Sequence, residues 1–471
     1  MQEKSNTAAK QQVEMVLLGG AAITVDAERR VIRDAGIAIQ NDRIVFVGKA
    51  EEASLMYEGK LTVNCDDKVL IPGLINAHIH YSHHIDKGLI PDNLGPVVQS
   101  NFVHSKVSPY ISKEDEIWGT KAMLLEMMKS GTTAFLEAGS FYPEENMRSD
   151  IQDFGIKGMM GRRAFDLVNL GHTAKQMETV DDIMKFYERF LTEFNTKALR
   201  IRPLVAIVGM GRFTDELAVK AKKMADRHGV PLKMHLANYG DQVRESRGRT
   251  GYRPLEHVDK LGILDENTIL VHMCAVTQKE VDIVAKRDAK VVWCPPATLK
   301  VGHSLSSGRY PEMLHAGIPL ALGTDGSDLS NYHDMVRVMN LAAVLFKGIR
   351  CDPEIMGAEQ AIEMATINGA KAMGMEGEIG SIEAGKKADI VIFDANRPEW
   401  RPLYNEIQNL VHSATGDSVE KVIIDGRIVL DNGKFLTADE QGILAGLAQR
   451  EQELKSRLDM QTMMISPWKF V

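Results

Sequence analysis

The sequence contains little cysteine and no paired cysteine motif. Four cysteines occur among 471 residues, and they are widely separated along the chain, as Cys65, Cys274, Cys294 and Cys351. Because no C-x-x-C pair is present, the spacing indicates neither a disulfide framework nor a thiolate zinc site. We therefore expect a reduced, cytoplasmic protein.

Long apolar runs and blocks of like charge are also missing. No run of about 18 apolar residues occurs, so we expect no transmembrane helix. The polar first dozen residues lack the apolar centre of a secretory signal, and we predict segment 1–12 to be a flexible N-terminus. A net charge of -8 and a pI near 6.0 give no reason to expect a nucleic-acid partner.

The two ends of the chain have β-type sequence. In segment 13–70 short apolar runs alternate with turn residues, and Asn41 and Asp42 interrupt one run where a hairpin turn fits. Segment 379–438 has the same character. We infer that both segments form one small β-sandwich, and that segment 439–471 is a C-terminal helix with a tail.

Segment 71–378, between these ends, alternates short apolar strands with helical stretches. Almost wholly apolar strands that alternate with helices are typical of a parallel sheet covered on both faces. About eight such units favour a closed (β/α)8 barrel, although an open doubly wound sheet remains an alternative because periodicity does not reveal closure. The predicted fold is therefore an α/β barrel with a β-sandwich beside it.

Candidate metal ligands follow the predicted barrel strands. His78 and His80 lie two residues apart in LINAHIH, and on a strand such residues point to the same face. His235 closes PLKMH, His272 closes TILVH, and Asp325 closes IPLALGTD. Each alone would fit a core histidine or a turn residue, but the carboxyl ends of parallel barrel strands share one rim. We therefore expect these side chains to meet at a metal site.

The motifs that contain these residues resemble the metal-dependent amidohydrolase superfamily. The similarity is to its nucleobase-deaminase and s-triazine chlorohydrolase branch, whose relatives include phenylurea and thiocarbamate (molinate) hydrolases. It rests on PGLINAHIH (72–80), SGTTAFLE (130–137), MHLAN (234–238), VHMCA (271–275), GTDGS (323–327), MATINGAKAMGM (364–375) and IGSIEAGKKADIVIFD (379–394). The resemblance implies a distorted (β/α)8 barrel with a β-sandwich made from both termini.

The resemblance also implies a mononuclear metal site. His78, His80, His235 and Asp325 match the positions that bind one divalent ion, most often Zn²⁺, with Fe²⁺, Co²⁺ or Mn²⁺ as alternatives. His272 matches a position that contacts the attacked group of the substrate. Two-metal relatives carry a carboxylated lysine after the fourth strand, and IRPLVAIVG offers none.

Basic coordination chemistry supports the same roles. Three neutral imidazoles and one carboxylate leave a position for water, and the cation lowers the pKa of that water. Asp325 can then accept the proton while His272 stabilises the tetrahedral species. A non-catalytic scaffold that kept the barrel is expected to lose a ligand, and all four are present.

Asn238 departs from the family pattern. Deaminases of this branch usually have HLAE where this chain has HLAN, and the glutamate passes a proton to a ring nitrogen. An amide cannot donate and recover that proton. Our main prediction is therefore hydrolysis of a small, largely apolar urea, carbamate or thiocarbamate. The alternatives are an s-triazine chlorohydrolase or aminohydrolase, or a purine or pyrimidine deaminase in which Asn238 binds substrate and another acid substitutes.

Two further expectations concern the surroundings of the site. His83, His84, His303 and His333 lie near predicted rim loops, where we expect pocket-wall or surface residues rather than ligands. A small-molecule substrate and a homo-oligomer are expected for such a barrel.

Overall fold

The computed structural model describes residues 9–91, 94–95, 102–148, 150–167, 178–196, 198–209, 211–303 and 307–463. Within these ranges no helix combines the length and the apolar character needed to cross a bilayer.

The strands in chain order are β1 (Gln11–Leu18), β2 (Ala21–Ile23), β3 (Val31–Arg33), β4 (Ala35–Gln40), β5 (Arg43–Lys49), β6 (Tyr57–Asn64), β7 (Lys68–Pro72), β8 (Leu74–Ile79), β9 (Thr132–Glu137), β10 (Lys157–Met160), β11 (Ile201–Pro203), β12 (Val205–Ile207), β13 (Leu232–Leu236), β14 (Thr268–His272), β15 (Lys290–Trp293), β16 (Leu320–Leu322), β17 (Ile390–Asp394), β18 (Val419–Ile424), β19 (Arg427–Asp431) and β20 (Lys434–Phe435).

The α-helices mostly follow the barrel strands, as the alternating sequence predicts. They are Ala50–Met56, Lys113–Lys129, Pro143–Arg148, Val180–Phe194, Asp215–His228, Gly240–Thr250, Pro254–Lys260, Gln278–Arg287, Pro295–Lys300, Tyr310–His315, Ser327–Ser330, Met335–Arg350, Ala358–Ala365, Ile367–Ala372, Glu406–His412, Glu440–Arg457 and Met460–Met463.

The barrel is a ring of parallel strands. Strands β8 to β11 pair in sequence order, and so do strands β12 to β16. Leu204 separates β11 from β12, so the single strand expected in IRPLVAIVG is broken in two. Isolated parallel bridges from Ala164 to Ile207 and from Ile79 to Asp325 connect the two sets. The predicted distorted (β/α)8 architecture is confirmed.

The helix Val180–Phe194 illustrates how the sequence covers the barrel. Thr179 begins the helix because its side chain accepts a hydrogen bond from the backbone N–H of Asp182. The apolar residues then recur at helical spacing and are buried against the barrel: Ile183, Tyr187, Phe190, Leu191 and Phe194. Each such side chain contributes about 1.5–3 kcal/mol by burial, so replacing one by alanine would loosen this side of the barrel.

The β-sandwich contains strands from both ends of the chain, as predicted. One sheet has the order β5-β4-β1-β6, and the other has the order β20-β19-β18-β17-β7-β2-β3. The second sheet joins the termini because β7 pairs antiparallel with β17. Strand β1 begins at Gln11, inside the segment 1–12 that we predicted to be flexible, and residues 1–8 lie outside the described residues.

A buried ion cluster connects the barrel to the sandwich. Lys157, on barrel strand β10, donates to both carboxylate oxygens of Asp389 at 2.6 and 2.8 Å. The Lys157 Nζ also lies 2.7 Å from Asp425 Oδ1. Because Lys157 and Asp389 are buried, either partner alone would be an uncompensated charge. The cluster therefore fixes the sandwich against the barrel that carries the candidate site.

Candidate metal centre

Five predicted site residues come from four strand ends at one rim of the barrel. His78 lies in β8, His80 follows β8, His235 lies in β13, His272 ends β14, and Asp325 follows β16. The backbone is left-handed at two of them, with φ 76° at His272 and φ 71° at Asp325. Such φ values are uncommon outside glycine, and here they turn the chain sharply where each strand delivers its side chain.

The donor atoms of four residues lie close together. Asp325 Oδ1 is 3.3 Å from His78 Nε2 and 3.2 Å from His80 Nε2. His80 Nε2 is 3.4 Å from His235 Nε2. Four nitrogen and oxygen ligands placed tetrahedrally about 2.0–2.1 Å from a zinc ion would be about 3.4 Å apart. The observed spacing therefore fits one divalent ion.

His272 stands slightly outside this group. Its Nε2 is 3.8 Å from Asp325 Oδ2, and its carbonyl accepts a hydrogen bond from the Tyr310 hydroxyl at 2.7 Å. An imidazole nitrogen of His272 lies within 4.8 Å of nitrogens of His78 and His235. This position is compatible with contact to a substrate beside the ion.

The protonation states also suit a cation. Burial lowers the pKa of His80 to about 4, and burial lowers the pKa of His78 and His235 well below the usual range. Burial alone would raise the pKa of the Asp325 carboxyl, but His78 and His80 outweigh it and hold that pKa well below its ordinary value. Neutral imidazoles beside an ionised carboxylate are the forms that bind a divalent metal.

Several buried polar atoms at this rim have no hydrogen-bond partner among the described residues. Among the described residues, Asp325 Oδ2 and His78 Nε2 have no hydrogen-bond partner. His80 Nε2 and His235 Nε2 face each other although burial keeps both rings neutral. A buried polar atom without a partner costs about 1–3 kcal/mol, and a shared cation would satisfy all of these atoms at once.

Asn238 follows His235 at the end of the same strand. Its backbone N–H donates to Gln242 Oε1 at 2.8 Å. Its side-chain Oδ1 is buried and has no hydrogen-bond partner within the described part of the chain. The oxygen of the side-chain amide is therefore free to accept a hydrogen bond from outside the described residues.

Lys233 is a buried neighbour that the sequence analysis did not single out. Its ammonium donates to the carbonyl oxygens of Leu136 at 2.8 Å and Ala77 at 3.2 Å. Burial lowers the pKa of Lys233 to about 7. It lies two residues before His235 on β13, and the alternation of strand residues could have drawn attention to it.

Cys294 was also missed as a neighbour of the site. Its sulfur lies within 4.8 Å of one ligand atom each of His78 and Asp325. The four cysteines are far apart in the sequence and form no pair, so motif spacing gave no sign of this contact. The position of Cys294 directly after β15 is the signal that was available, because every other candidate ligand also lies at or near a strand end.

The additional histidines near the rim are buried, with exposures of 9% or less. His83 Nδ1 lies 2.9 Å from Asp86 Oδ2, and its Nε2 lies 3.1 Å from Arg163 Nη1. His84 Nδ1 lies 2.9 Å from Ser327 Oγ. These partners occupy the ring nitrogens of His83 and one ring nitrogen of His84.

Comparison with known proteins gives a family match over most of the chain. A family model described as "Amidohydrolase family" matches residues 69–429. A relative from Moorella thermoacetica, a 5-methylthioadenosine/S-adenosylhomocysteine deaminase, is 34% identical over 426 residues, which cover 89% of this chain and 95% of the relative.

Solved structures agree with the fold. A zinc-bound adenosine deaminase from Xanthomonas campestris has a TM-score of 0.87 and 26% identity, and the match covers 95% of this chain and 100% of that one. A zinc-complexed atrazine chlorohydrolase from Arthrobacter aurescens has a TM-score of 0.84 and 21% identity, covering 93% of this chain and 100% of that one. At this lower identity the second likeness concerns the fold alone.

These comparisons correct our main functional prediction. Hydrolysis of a urea, carbamate or thiocarbamate is wrong, because the whole-length relative is a deaminase of adenosine derivatives. The deaminase alternative is the one that the comparisons favour. Asn238 is a single departure from the deaminase pattern, whereas the similarity to the deaminase extends over 426 residues.

Proposed function

This chain belongs to the amidohydrolase family, and from that premise we propose that it removes the exocyclic amino group of adenosine-type nucleosides by hydrolysis. The proposal rests on one observation above all. Four donor atoms from His78, His80, His235 and Asp325 lie 3.2 to 3.4 Å from their neighbours at the rim of the barrel. The relatives supply the substrate class, nucleosides modified at the 5' position.

We propose that these four residues hold one divalent ion. Zinc is the first candidate because nitrogen and oxygen ligands at this spacing suit its tetrahedral preference and because a solved neighbour is described with bound zinc. When bound, the ion would supply a water of lowered pKa as nucleophile.

The residues of this chain would handle the protons and the developing charge. Asp325 has an oxygen, Oδ2, without a hydrogen-bond partner among the described residues; this oxygen can accept a proton from water and pass it to the departing amino group. His272 lies 3.8 Å from that oxygen, where its Nε2 can donate to the atom that gains charge as the carbon becomes tetrahedral. Ammonia leaves, and the remaining proton of the attacking water moves from the oxygen to the ring nitrogen through solvent as the carbonyl forms.

Asn238 would bind the purine ring without protonating it. Its Nδ2–H₂ group can donate a hydrogen bond to a ring nitrogen, but an amide does not transfer a proton in the working pH range. The protein would therefore make less use of ring protonation than a glutamate-containing deaminase does. This role is compatible with a substrate-binding residue, as predicted.

The direct test is a substrate panel with zinc-loaded protein. Adenosine, 5'-deoxyadenosine, 5'-methylthioadenosine and S-adenosylhomocysteine are each incubated with the protein, and ammonia and the inosine-type product are quantified. We expect turnover of at least one of them, loss of turnover after chelation, and recovery on adding zinc. A fully metal-loaded protein that releases no ammonia from any of the four would overturn the proposal.

Three further predictions accompany this function. They are a homo-oligomeric assembly, a cytoplasmic location, and the division into segments 13–70, 71–378, 379–438 and 439–471. Light scattering during size-exclusion chromatography tests the first, cell fractionation the second, and limited proteolysis the third.

A further inference from the structure

We propose that His333 is a positioning residue for Asp325, and that its imidazole holds the turn that presents the Asp325 carboxylate to the metal ion. The proposal deepens the function above and rests on its metal site. Neither the motif spacing nor the family resemblance assigns a role to His333.

One imidazole binds the residues on both sides of Asp325. His333 Nδ1 lies 2.7 Å from the Thr324 hydroxyl, and His333 Nε2 lies 2.6 Å from the Ser327 hydroxyl. In a neutral imidazole one nitrogen donates and the other accepts, and a hydroxyl can do either, so both tautomers satisfy both contacts. Asp325 therefore lies in a short segment whose two ends are bound to a single ring.

The turn needs this support because its backbone is strained. Asp325 has a φ of 71°, in the left-handed region that residues other than glycine rarely adopt. Such a conformation persists only where the surrounding structure imposes it. Two hydrogen bonds from one buried ring, placed before and after Asp325, are a direct means of imposing it.

The same turn orients the carboxylate. The backbone N–H of Gly326 donates to Asp325 Oδ1 at 2.8 Å, and Gly326 lies between Asp325 and Ser327. Oδ1 is the oxygen that lies 3.3 Å from His78 Nε2 and 3.2 Å from His80 Nε2. A rotation of the turn would therefore move this oxygen relative to the other candidate ligands.

His333 is itself fixed from outside the turn. The residue is fully buried. Its backbone N–H donates to Glu126 Oε1 at 2.9 Å, and its carbonyl accepts a hydrogen bond from the Ser130 hydroxyl at 3.2 Å. Glu126 belongs to the helix Lys113–Lys129, and Ser130 ends that helix. The ring therefore holds the turn against a helix that precedes β9.

Asn76 binds one end of the turn from the first barrel strand. Its amide nitrogen donates to the Thr324 hydroxyl at 2.8 Å, and its amide oxygen accepts from the Thr324 backbone N–H at 3.0 Å. Both bonds go to Thr324, which precedes Asp325. His333, in contrast, holds both ends, so its loss should free the turn even though Asn76 remains.

The variant His333→Leu removes both hydrogen bonds and nearly preserves side-chain volume. At saturating zinc we expect kcat for the best nucleoside of the panel to fall about 10–100-fold, as it does when the support of metal ligands is lost. We expect KM to change less than about threefold, because the groups proposed to contact the substrate are not altered. The visible d–d bands of the cobalt-substituted protein should also shift, since they depend on ligand geometry.

His257→Leu is the matched control. His257 is also a buried histidine, and its Nε2 lies 2.7 Å from Oδ1 of Asp215, in another helix. Its replacement should lower stability in denaturant unfolding without changing kcat or the cobalt bands. A purely structural role for His333 would give the same result in His333→Leu.

Each outcome has a defined meaning. Wild-type kcat and wild-type cobalt bands in His333→Leu overturn the positioning role and leave the metal site and the deaminase proposal intact. A wild-type protein that binds cobalt but deaminates none of the nucleosides overturns the proposed function, and the cobalt bands of the variant then still test the positioning role. A wild-type protein that binds no cobalt overturns both.

Two milder variants serve if His333→Leu does not fold. Thr324→Val and Ser327→Ala each remove one of the hydrogen bonds and leave the imidazole in place. A fall in kcat of at least about threefold in either variant, with shifted cobalt bands, supports the proposal. Wild-type kcat and cobalt bands in both variants overturn it.

Discussion

The backbone N–H of Asp325 donates a hydrogen bond to the carbonyl oxygen of His78 across 2.8 Å. This bond joins the last barrel strand to the first and places two candidate ligands side by side. The spacing of the candidate ligands therefore depends on closure of the barrel. A change where the first and last barrel strands meet should lower metal affinity before it destabilises the β-sandwich.

Gly323 allows this close approach. A Cβ at this position would lie 2.7 Å from the Cβ of His78 and 2.8 Å from its backbone nitrogen. We expect Gly323→Ala to weaken metal affinity by about 10–100-fold, as changes in the support of ligands do. Isothermal titration with zinc measures the effect. Gly348→Ala is the control, because a Cβ there meets no atom within 4 Å.

Removal of a single candidate ligand should remove both metal and activity. Asp325→Ala and His78→Ala each delete one of four donors, and we expect metal content after dialysis to fall to near zero and deaminase turnover to fall more than about 100-fold. Elemental analysis and ammonia release measure the two effects. The exposed His315 supplies the control His315→Ala; retention of the metal in the Asp325 variant would contradict the ligand set.

Asn238→Glu should increase deaminase activity. A carboxyl group at this position could give a proton to the purine ring and recover it, and positioned general acids contribute about 10²–10⁴-fold. We expect kcat/KM for the best nucleoside of the panel to rise at least about tenfold. Asn238→Gln keeps the amide at the length of glutamate and should give no increase. Equal activity in the two variants would show that proton transfer at this position does not limit the reaction.

Acid should destabilise the protein through buried His84. Burial lowers the pKa of His84 to about 3 from an ordinary 6.5. Between these values the unfolded chain binds a proton that the folded chain does not, so the free energy of unfolding falls as pH falls from about 6.5 toward 3. The slope for one histidine is about 1.4 kcal/mol per pH unit.

Replacement of His84 tests this dependence. Urea unfolding between pH 5.0 and 6.5 should give a shallower pH dependence for His84→Gln than for the wild-type protein. The exposed control His315→Gln should follow the wild-type curve. Parallel curves for His84→Gln and the wild-type protein would show that this histidine is not responsible.

Lys157→Ala should destabilise the junction between barrel and sandwich. The change leaves Asp389 and Asp425 close together without their shared cation, and breaking a buried ion pair costs about 3–5 kcal/mol. Denaturant unfolding measures the loss. Lys279 pairs with Glu256 at 2.7 Å but is 75% exposed, so Lys279→Ala should cost no more than about 1 kcal/mol.

Much of the barrel and the positions of its candidate ligands could be predicted from sequence. The apolar strands alternate with helices, and His78, His235, His272 and Asp325 each stand at a strand end, so the common rim follows from topology. Closure of the barrel could not be predicted from the sequence, because it depends on the contact between Ile79 and Asp325, which are far apart in the chain.

The contacts around the site were less predictable. The sequence places Lys233 two residues before His235 and Cys294 directly after an apolar strand, but it does not indicate that Lys233 binds the carbonyls of Ala77 and Leu136 or that Cys294 approaches His78. Both contacts depend on how neighbouring strands are staggered. The substrate was misjudged for a different reason: Asn238 indicates what proton chemistry is missing, but it does not indicate which ring fits the pocket.

The left-handed backbone at His272 and Asp325 has a consequence for attempts to make the protein more heat-resistant. Non-glycine residues in that conformation cost of order 1–3 kcal/mol each, and glycine would relieve most of the penalty. A library selected only by survival at high temperature would therefore tend to discard these two side chains and return robust but inert proteins. Each round of such a selection needs a zinc-retention or turnover screen beside the heating step.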